Sequence, residues 1–437
     1  MGRRVLILGL AAIAAFAQIH TAAAQSYPRL GAYLIGGTID YANLPHIGDL
    51  QIAVITAYPG FNAGGKNLQQ QVAAMKAMNP NMKITVYAKV NSANLSLGAY
   101  QTQYNAISAN NWWLRSSWPS GSIVTTFGGS ENDMNLTISA YRQWMAQYFV
   151  GFETGVAPNL DGIYTDNFYR APRESGDYQQ NGTTQSNSDA TVQQNWRNAY
   201  AGWDTQLRNA MGSQYMDWGN VADWGGGSIQ GYNQLLNGGV MESAIGQSYS
   251  PESQSWTALM NYYKTVMNAG APHNGGGPYF VFQQDGAALS SSTYQAARYG
   301  LTSCLLDNGY YHYNTAGQGG GRNVAWLDEM GVNLGAATTG PNNPANSTYS
   351  DGGLTVWQNG VWRRDFANGI ALVNPKGNGQ RTVTLETTYK HFSGTQNPSL
   401  NDGQSVTSVT LNDRDGVILL RTTAQAAVPA APTLTVQ

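Results

Sequence analysis

The sequence predicts a (β/α)8 barrel of the TIM type, an α/β fold, followed by a small antiparallel all-β domain. Strand-like and helix-like segments alternate over residues 25–335, which is typical of a parallel sheet covered by helices. Beyond residue 350 the apolar residues recur with a period of two, and Asn-Gly or Asp-Gly pairs separate the segments, as in hairpins. A barrel takes roughly 250 residues or more, so the 437 residues leave room for the second domain.

Eight segments are predicted as barrel strands because they are short, rich in β-branched or aromatic residues, and bounded by turn-forming residues. They are Arg29–Ile35, Ile52–Tyr58, Lys83–Val90, Gly162–Asp166, Tyr215–Asn220, Gly239–Ser243, Tyr279–Gln283 and Gly309–Tyr313. Apolar residues at helical spacing predict the intervening helices. These are Leu68–Met78, Ile138–Val150, Gln193–Met211, Trp256–Ala269 and Tyr294–Leu306.

Residues 350–422 are predicted to form the β-domain, which we expect to pack against the barrel. Its predicted strands are Leu354–Trp357, Ile370–Val373, Thr382–Leu385, Ser408–Leu411 and Val417–Leu420. Few aromatic residues alternate outward there, so a carbohydrate-binding role is the less favoured alternative for this domain. Residues 423–437 are rich in Ala, Pro and Thr, and we expect this tail to be disordered.

The first 24 residues have the pattern of a secretory signal peptide. Arg3 and Arg4 precede the apolar run Val5–Phe16, which is too short to span a membrane, and small residues at 21–24 suit cleavage before Gln25. No later segment has the length and apolar character of a membrane span. We therefore expect a secreted or periplasmic protein without membrane insertion.

The composition favours a carbohydrate partner over nucleic acid. Charged residues make up 11% of the chain and the net charge is −2, so no basic field is available to hold phosphates. The 12 Trp and 26 Tyr residues, together with many Asn, Gln, Ser and Thr, suit the hydroxyls and C–H faces of sugars. Cys304 is the only cysteine, so no intrachain disulfide can form, and the five His residues lack metal-ligand spacing, so we expect no metal. We also expect no cofactor and a monomer.

Two candidate catalytic carboxylates end predicted strands. The segment Asp161–Phe168 contains a short buried strand that stops at Asp166, and a similar strand end carries Glu242. Barrel enzymes place their chemistry at the C-terminal ends of the strands. Glycosidases need two carboxylates there, one to attack or guide water and one to protonate the leaving oxygen. The alternative is that Asp166 only caps the following segment.

Other polar or aromatic residues near strand ends are candidates for binding a substrate. Four of them have a structural alternative: a salt bridge for the lysine, turn formation for the two asparagines, and a plain turn for Asp285. Asp217 is also the main rival for a catalytic carboxylate. The candidates are Tyr58, Lys89, Asn167, Asp217, Trp218, Asn220, Gln284 and Asp285. Trp112 and Trp113 lie in a long loop, Ser92–Asn135, where they either stack on sugars or anchor the loop.

The Asp161–Asn167 motif resembles the fourth-strand motif of retaining glycosidases of the α-galactosidase type, which implies that Asp166 is the nucleophile. The acid/base of that type is at the sixth strand, where this chain has Glu242 in place of the usual Asp. The whole layout is similar to that of the hypothetical glycosyl hydrolases, which have a barrel and a C-terminal β-sandwich. The segments Trp326–Glu329, Arg364–Pro375 and Asp415–Leu420 carry this second resemblance.

These observations predict a secreted glycoside hydrolase that cleaves O-glycosidic bonds in a polysaccharide or oligosaccharide with retention of configuration. Two alternatives remain at this point. One is a non-catalytic carbohydrate-binding or assembly protein on a barrel scaffold, which would not need paired strand-end carboxylates. The other is a lyase or transferase that acts on the same polymer. The convergence of Asp166 and Glu242 in one cleft distinguishes the enzyme from the binder.

Overall fold

A computed structural model describes residues 26–35, 37–56, 64–94, 98–151, 159–212, 214–220, 235–269, 276–315, 321–339 and 357–422. Four predicted features lie outside these residues: the signal peptide at 1–24, the substrate-binding candidate Tyr58, most of the predicted strand at 354–357, and the tail at 423–437.

The strands are, in chain order, β1 (Gly31–Leu34), β2 (Ile52–Ile55), β3 (Lys83–Ala88), β4 (Ser92–Ala93), β5 (Thr125–Thr126), β6 (Glu131–Asp133), β7 (Gly162–Thr165), β8 (Met216–Asn220), β9 (Gly238–Ile245), β10 (Tyr279–Asp285), β11 (Tyr310–Asn314), β12 (Trp362–Phe366), β13 (Gly369–Asn374), β14 (Arg381–His391), β15 (Ser405–Leu411) and β16 (Asp415–Arg421). The helices are α1 (Leu68–Met78), α2 (Gln101–Ala109), α3 (Ser139–Gly151), α4 (Ala190–Met211), α5 (Pro251–Gln254), α6 (Trp256–Ala269) and α7 (Tyr294–Leu305).

Eight strands form a near-closed parallel barrel in the order β1-β2-β3-β7-β8-β9-β10-β11. A parallel bridge between Leu30 and Tyr311, with a hydrogen bond of 2.9 Å from the Tyr311 N–H to the Arg29 carbonyl, joins the last strand to the first. Each of the eight predicted strands overlaps an observed one, so the predicted parallel barrel is confirmed.

The helices predicted from apolar spacing are present. α1 begins at a capping box in which Asn67 and Gln70 bond reciprocally, and the side chain of Asp189 caps α4. Between β1 and β2 the described residues form two short 3₁₀ turns, Tyr41–Asn43 and Ile47–Asp49, in place of an α-helix. No helix in the described ranges combines the length and the apolar character that a membrane-spanning helix needs.

Aromatic side chains fill the interior of the barrel. The Trp218 indole N–H donates to Thr85 Oγ1 at 2.9 Å, and its ring meets that of Tyr164 edge-on at 5.6 Å. Trp218 and Tyr164 are both fully buried. The barrel is therefore a packed core rather than a pore, and only the side chains at the strand ends can meet a ligand.

A small antiparallel sheet follows β3, in the loop predicted to overhang the catalytic face. It contains β4, β6 and β5 in that order. The loop is anchored by Trp112 and Trp113, which are 9% and 2% exposed, and Trp112 packs against Tyr141 and Trp144 of α3. Of the two interpretations left open for this Trp pair, the structure therefore favours the anchor.

The C-terminal sheet has the order β12-β13-β16-β14-β15 and is antiparallel. The register of β14 against β15 shifts between Thr384 and Tyr389, and the end of β14 pairs with β15 on one side and with β16 on the other. Four of the predicted strands are present, whereas β12 was not predicted. Apolar residues on one sheet face, such as Leu372, Leu385 and Leu411, form their own core.

The opposite face of this sheet packs on the barrel. Ala371, Val373 and Ile418 belong to the same apolar core as the barrel and its helices. Buried Arg364 donates to the carbonyl of Leu305, at the end of α7, at 3.0 Å. Such extensive burial fixes the sheet against the barrel, as predicted for the β-domain.

Candidate active site

Asp166 follows β7 directly, at the C-terminal end of the barrel. Its Oδ1 accepts a hydrogen bond of 2.8 Å from the Asn167 N–H, and its Oδ2 accepts one of 2.6 Å from the Tyr87 hydroxyl. Asn167 has a φ of 54°, a left-handed conformation that Asn tolerates better than most residues, so the chain turns sharply here. Asp166 is only 7% exposed, and its carboxylate is held at both oxygens.

Glu242 lies near the end of β9, at an irregularity in the strand. The register between β9 and β10 shifts after Met241, and Ser243 has a φ of 54°. Such a bulge re-aims the neighbouring side chains. As a result, both Met241 and Glu242 line the same cleft as Asp166.

Asn220, at the end of β8, connects the two carboxylates. Its Nδ2 lies 3.1 Å from Asp166 Oδ1 and 2.9 Å from Glu242 Oε2. The two oxygens therefore cannot be farther apart than the sum of these distances, about 6 Å. The strand order β7-β8-β9 explains this arrangement, because Asn220 stands on the strand between the two acids.

The cleft around the pair has a volume of about 1040 Å³. Charged and aromatic side chains line it, and they come from the strand ends and from the loops that follow β3, β7 and β9. They include Tyr33, Tyr87, Lys89, Phe127, Glu131, Tyr169, Arg170, Arg173 and Tyr249, and Asn167 and Tyr262 of α6 also line the cleft. A cleft of this size and composition can hold several sugar rings.

Tyrosines form the floor beneath Asp166. The rings of Tyr33 and Tyr164 lie 5.2 Å apart, and that of Tyr87 lies 6.4 Å from Tyr33. Burial, and then the charge of Asp166, raises the pKa of Tyr33 and that of Tyr164 well above the usual value. These phenols stay protonated, so the floor presents neutral hydroxyl groups to the carboxylate.

Lys89 lines the cleft as predicted for a strand-end lysine, and it also makes an ion pair. Its Nζ lies 2.5 Å from Glu131 Oε1, and Ser92 Oγ donates to the other Glu131 oxygen at 2.5 Å. Glu131 belongs to β6, so the pair ties the small overhanging sheet to the end of β3. Lys89 therefore makes the salt bridge that was given as its structural alternative, and it also lines the cleft.

Comparison with known proteins places the chain in a family. The model of hypothetical glycosyl hydrolase family 15 matches residues 76–370, which is well over half of the chain. The chain belongs to this family. The predicted resemblance to the hypothetical glycosyl hydrolases is thereby confirmed, and membership of hypothetical glycosyl hydrolase family 15 supports a glycosidase.

No curated protein sequence matches the chain. Among solved structures, it is similar to an alpha-amylase from Lactobacillus plantarum, with 11% identity, a TM-score of 0.50, and coverage of 90% of this chain and 98% of the other. It is also similar to the glycoside hydrolase domain of PelA from Pseudomonas aeruginosa, with 14% identity, a TM-score of 0.40, and coverage of 68% and 100%. The amylase match shows a shared fold.

Three residues predicted to bind substrate lie away from the cleft in this family member. Asp217 is fully buried on the outer face of β8, because alternation along the strand turns Trp218 and Asn220 inward. Trp218 fills the barrel interior below the cleft. Gln284 faces α7, where its amide donates to the Ala296 carbonyl at 2.9 Å. All three are buried and none lines the cleft, so the structure does not support their predicted roles in binding substrate.

Asp285 lies beside the cleft without lining it. Four side chains donate to its two oxygens: Ser243 at 2.5 Å, Gln247 at 2.9 Å, Asn314 at 2.8 Å and Gln283 at 3.2 Å. These four hydrogen bonds satisfy both oxygens of the carboxylate. Asp285 therefore positions the segment after Glu242 instead of contacting substrate, which corrects its prediction as a substrate ligand.

The structure adds cleft residues that were not predicted. Tyr87 could have been found, because it lies on β3 two residues before Lys89, which follows the strand directly, and strand alternation places the two on the same face. Glu131, Phe127, Arg173 and Tyr249 come from loops that reach the cleft through tertiary packing, for which the local sequence has no signal. Within the described ranges, no group of three or more His, Cys, Asp or Glu side chains is arranged to hold a metal ion.

Proposed function

We propose that the chain is a retaining glycoside hydrolase, in which Asp166 is the nucleophile and Glu242 the acid/base, acting on O-glycosidic bonds of a polysaccharide or oligosaccharide. The observation that carries the proposal is the pairing of these two carboxylates through Asn220 in one cleft. A protein that only bound carbohydrate would have no need to hold two carboxylates this close together.

The separation of the acids supports retention over inversion. Retaining glycosidases hold their carboxyl groups roughly 5–5.5 Å apart, and inverting ones roughly 6.5–9.5 Å apart to leave room for a water. The two oxygens that Asn220 bridges, Asp166 Oδ1 and Glu242 Oε2, lie no more than about 6 Å apart, which is nearer to the retaining range than to most of the inverting range.

In the first step, Asp166 attacks the anomeric carbon while the bond from that carbon to the leaving oxygen breaks. Glu242 donates its proton to the leaving oxygen, and a covalent glycosyl-enzyme forms. The Asn167 N–H and the Tyr87 hydroxyl hold the Asp166 oxygens in place for this attack. In the second step, water gives a proton to Glu242 and attacks the same carbon, which releases Asp166 as a carboxylate.

The domain boundaries, the location of the protein and its oligomeric state are further parts of the proposal. We infer a (β/α)8 barrel of the TIM type at 25–335 from the order of the eight parallel strands, and a β-sandwich at 350–422 in which the five-stranded sheet is one layer. We further propose that the chain is exported through the signal peptide at 1–24 to a secreted or periplasmic location. It acts there as a monomer without affinity for nucleic acid.

A glycan screen tests the proposal. Purified wild-type protein is incubated with bacterial and plant polysaccharides and aryl glycosides, and reducing ends and the anomeric configuration of the first product are followed by NMR. Asp166→Asn should lower turnover by about a thousandfold or more, because an amide cannot form the glycosyl ester. Asp204→Asn is the matched control, since buried Asp204 pairs with Arg208 at 2.8 Å on α4, away from the cleft.

The outcomes separate the alternatives. If the first product has inverted configuration, Asp166 is not a nucleophile. If Asp166→Asn keeps near-wild-type turnover, Asp166 only caps the following segment. Binding of glycans without any cleavage would favour the non-catalytic protein, and unsaturated products would indicate a lyase.

A further inference from the structure

Two exposed aromatic rings line the cleft. In the part of the chain that the structure describes, the exposed large hydrophobic side chains are Phe127 at 40%, Tyr249 at 57% and Met78 at 49%. Phe127 and Tyr249 both line the cleft around the carboxylate pair, whereas Met78 lies on α1. Isolated exposed apolar residues need no explanation, but two rings in one polar cleft do.

The rings stand on opposite sides of the catalytic pair. Phe127 lies over the ends of β3 and β7, since Lys89 and Arg173 both contact its ring. Tyr249 lies over the end of β9, where its hydroxyl is 3.2 Å from Ser243 Oγ. Because the barrel order is β3-β7-β8-β9, Phe127 lies toward the β3 side of the carboxylate pair and Tyr249 toward the β9 side.

Phe127 is held in place at a conformational cost. Its φ is 51°, a left-handed conformation that is strained for a bulky side chain. The Arg173 guanidinium carbon lies 4.4 Å from the ring centroid and Lys89 Nζ lies 5.2 Å from it, which stabilises the ring through cation–π contacts. Strain of this kind persists where the surrounding structure enforces it, and it is concentrated at ligand sites.

Tyr249 is fixed by a polar network behind it. Ser243 Oγ contacts the Tyr249 hydroxyl and donates to Asp285 Oδ2 at 2.5 Å. The Ser250 hydroxyl donates to the Ser243 carbonyl at 2.5 Å, and the Gln247 N–H donates to Ser250 Oγ at 2.9 Å. The short segment is thus clamped at its base, and the phenol ring is presented to the cleft.

We infer that Phe127 and Tyr249 are stacking platforms for sugar rings on the two sides of the scissile bond, so that the substrate chain runs across the cleft and is cut internally. The inference rests on the proposed function and deepens it. Fixed aromatic faces bind the C–H faces of sugars by burying apolar area at little entropic cost. Because Glu242 must reach the leaving oxygen, Tyr249 lies on the leaving-group side and Phe127 on the other.

Product analysis tests internal cleavage. The polysaccharide that the glycan screen identifies is digested to a low extent, and its size distribution is followed by size-exclusion chromatography. The average molecular mass should fall before any monosaccharide or disaccharide accumulates. Release of monosaccharide or disaccharide alone from the start would overturn the inference, because it would mean that the enzyme cuts from a chain end.

Variants test the two platforms. Phe127→Ala and Tyr249→Ala should each lower kcat/KM on the polymer about tenfold or more, while Met78→Ala, matched in exposure, should leave it unchanged. Binding of the hexasaccharides of cellulose, starch and chitin, measured by calorimetry in an Asp166→Asn background, separates stacking from chemistry. If neither variant changes kcat/KM or hexasaccharide binding, the inference fails even though the proposed function stands. If nothing is cleaved but both variants weaken hexasaccharide binding, the platforms stand and the proposed chemistry fails.

Discussion

The hydroxyl of Tyr87 donates a 2.6 Å hydrogen bond to Asp166 Oδ2. The two residues stand on neighbouring strands, since the register pairs Tyr87 with Tyr164, two residues before Asp166. Hydrogen bonds to a carboxylate are short and roughly twice as strong as those between neutral groups. Tyr87 therefore fixes the direction of one Asp166 oxygen and leaves the other to the Asn167 N–H and Asn220.

Tyr87→Phe should lower kcat by about 10- to 100-fold, because a hydrogen bond to a charged group contributes roughly 1.5–3 kcal/mol. KM should change little, since Tyr87 acts through Asp166. The control is Tyr41→Phe, which removes a buried hydroxyl that donates to the Leu34 carbonyl at 3.0 Å away from the cleft. That control should lower Tm but leave kcat unchanged. A kcat loss that merely follows the loss of Tm in both variants would contradict the positioning role.

Asn220 gives a second prediction, because its amide donates to both acids. Asn220→Ala should lower kcat by at least about tenfold, since both carboxylates lose a donor. Asn220→Asp, although nearly isosteric, should be worse, by about a hundredfold or more, because it replaces the donor by a negative charge beside the Asp166 carboxylate. Steady-state kinetics on the best aryl glycoside, with Tm as the stability control, measures both. If the Asp variant outperforms the Ala variant, Asn220 does not bridge the acids as the structure has it.

The parts of the fold that could be predicted from sequence depend on local patterns. Short β-favouring segments between turn residues located all eight barrel strands, and apolar spacing located α1 and α6 to the residue. The strand-end position of Asp166 and Glu242 followed from the same patterns. Parallel strands end at one edge of a barrel, so residues at strand ends meet there.

The errors have a physical cause in the same barrel. Its strands are buried on both faces, so their sequences lack the polar alternation that would tell inward from outward residues. Asp217 and Gln284 were therefore offered as substrate-binding candidates although they face away from the barrel interior, and Trp218 although it is buried below the cleft. Phe127 and Tyr249 were not predicted as cleft residues for another reason. Their place in the cleft depends on how long loops fold over the barrel, which local residue patterns do not encode.

Asp133 leads to a prediction about stability and pH. Burial, and then the charges of Glu174 and Glu131, raises the pKa of Asp133 to about 8 from a usual value of 3.8. Between these values the folded protein binds a proton that the unfolded chain has released, so stability falls as pH rises from about 4 to about 8. Asp133→Asn removes this loss. Its Tm relative to wild type should therefore rise by at least about 2 °C between pH 5 and pH 9.

The matched control for Asp133 is Asp177→Asn. Burial opposes the ionisation of Asp177, but the backbone N–H groups of Trp118, Asn181 and Gly182 outweigh it and hold its pKa below the usual value. The contribution of Asp177 to stability changes with pH only below about pH 4. The Tm difference between that variant and wild type should therefore stay constant between pH 5 and pH 9. A constant difference for Asp133→Asn as well would show that Asp133 ionises freely in the folded protein.

Glu242→Ala gives the most specific test of the proton roles. Without the acid, substrates with poor leaving groups should lose about a hundredfold or more in kcat, because the leaving oxygen must depart as an alkoxide. Activated aryl glycosides should lose much less in the first step, since their leaving groups need little protonation. Their glycosyl-enzyme should then accumulate, because no base is left to activate water. Azide needs no base to attack the anomeric carbon, so added azide should restore aryl glycoside turnover and yield a glycosyl azide of retained configuration. Equal losses on both substrate classes, without rescue by azide, would remove Glu242 from the acid/base role.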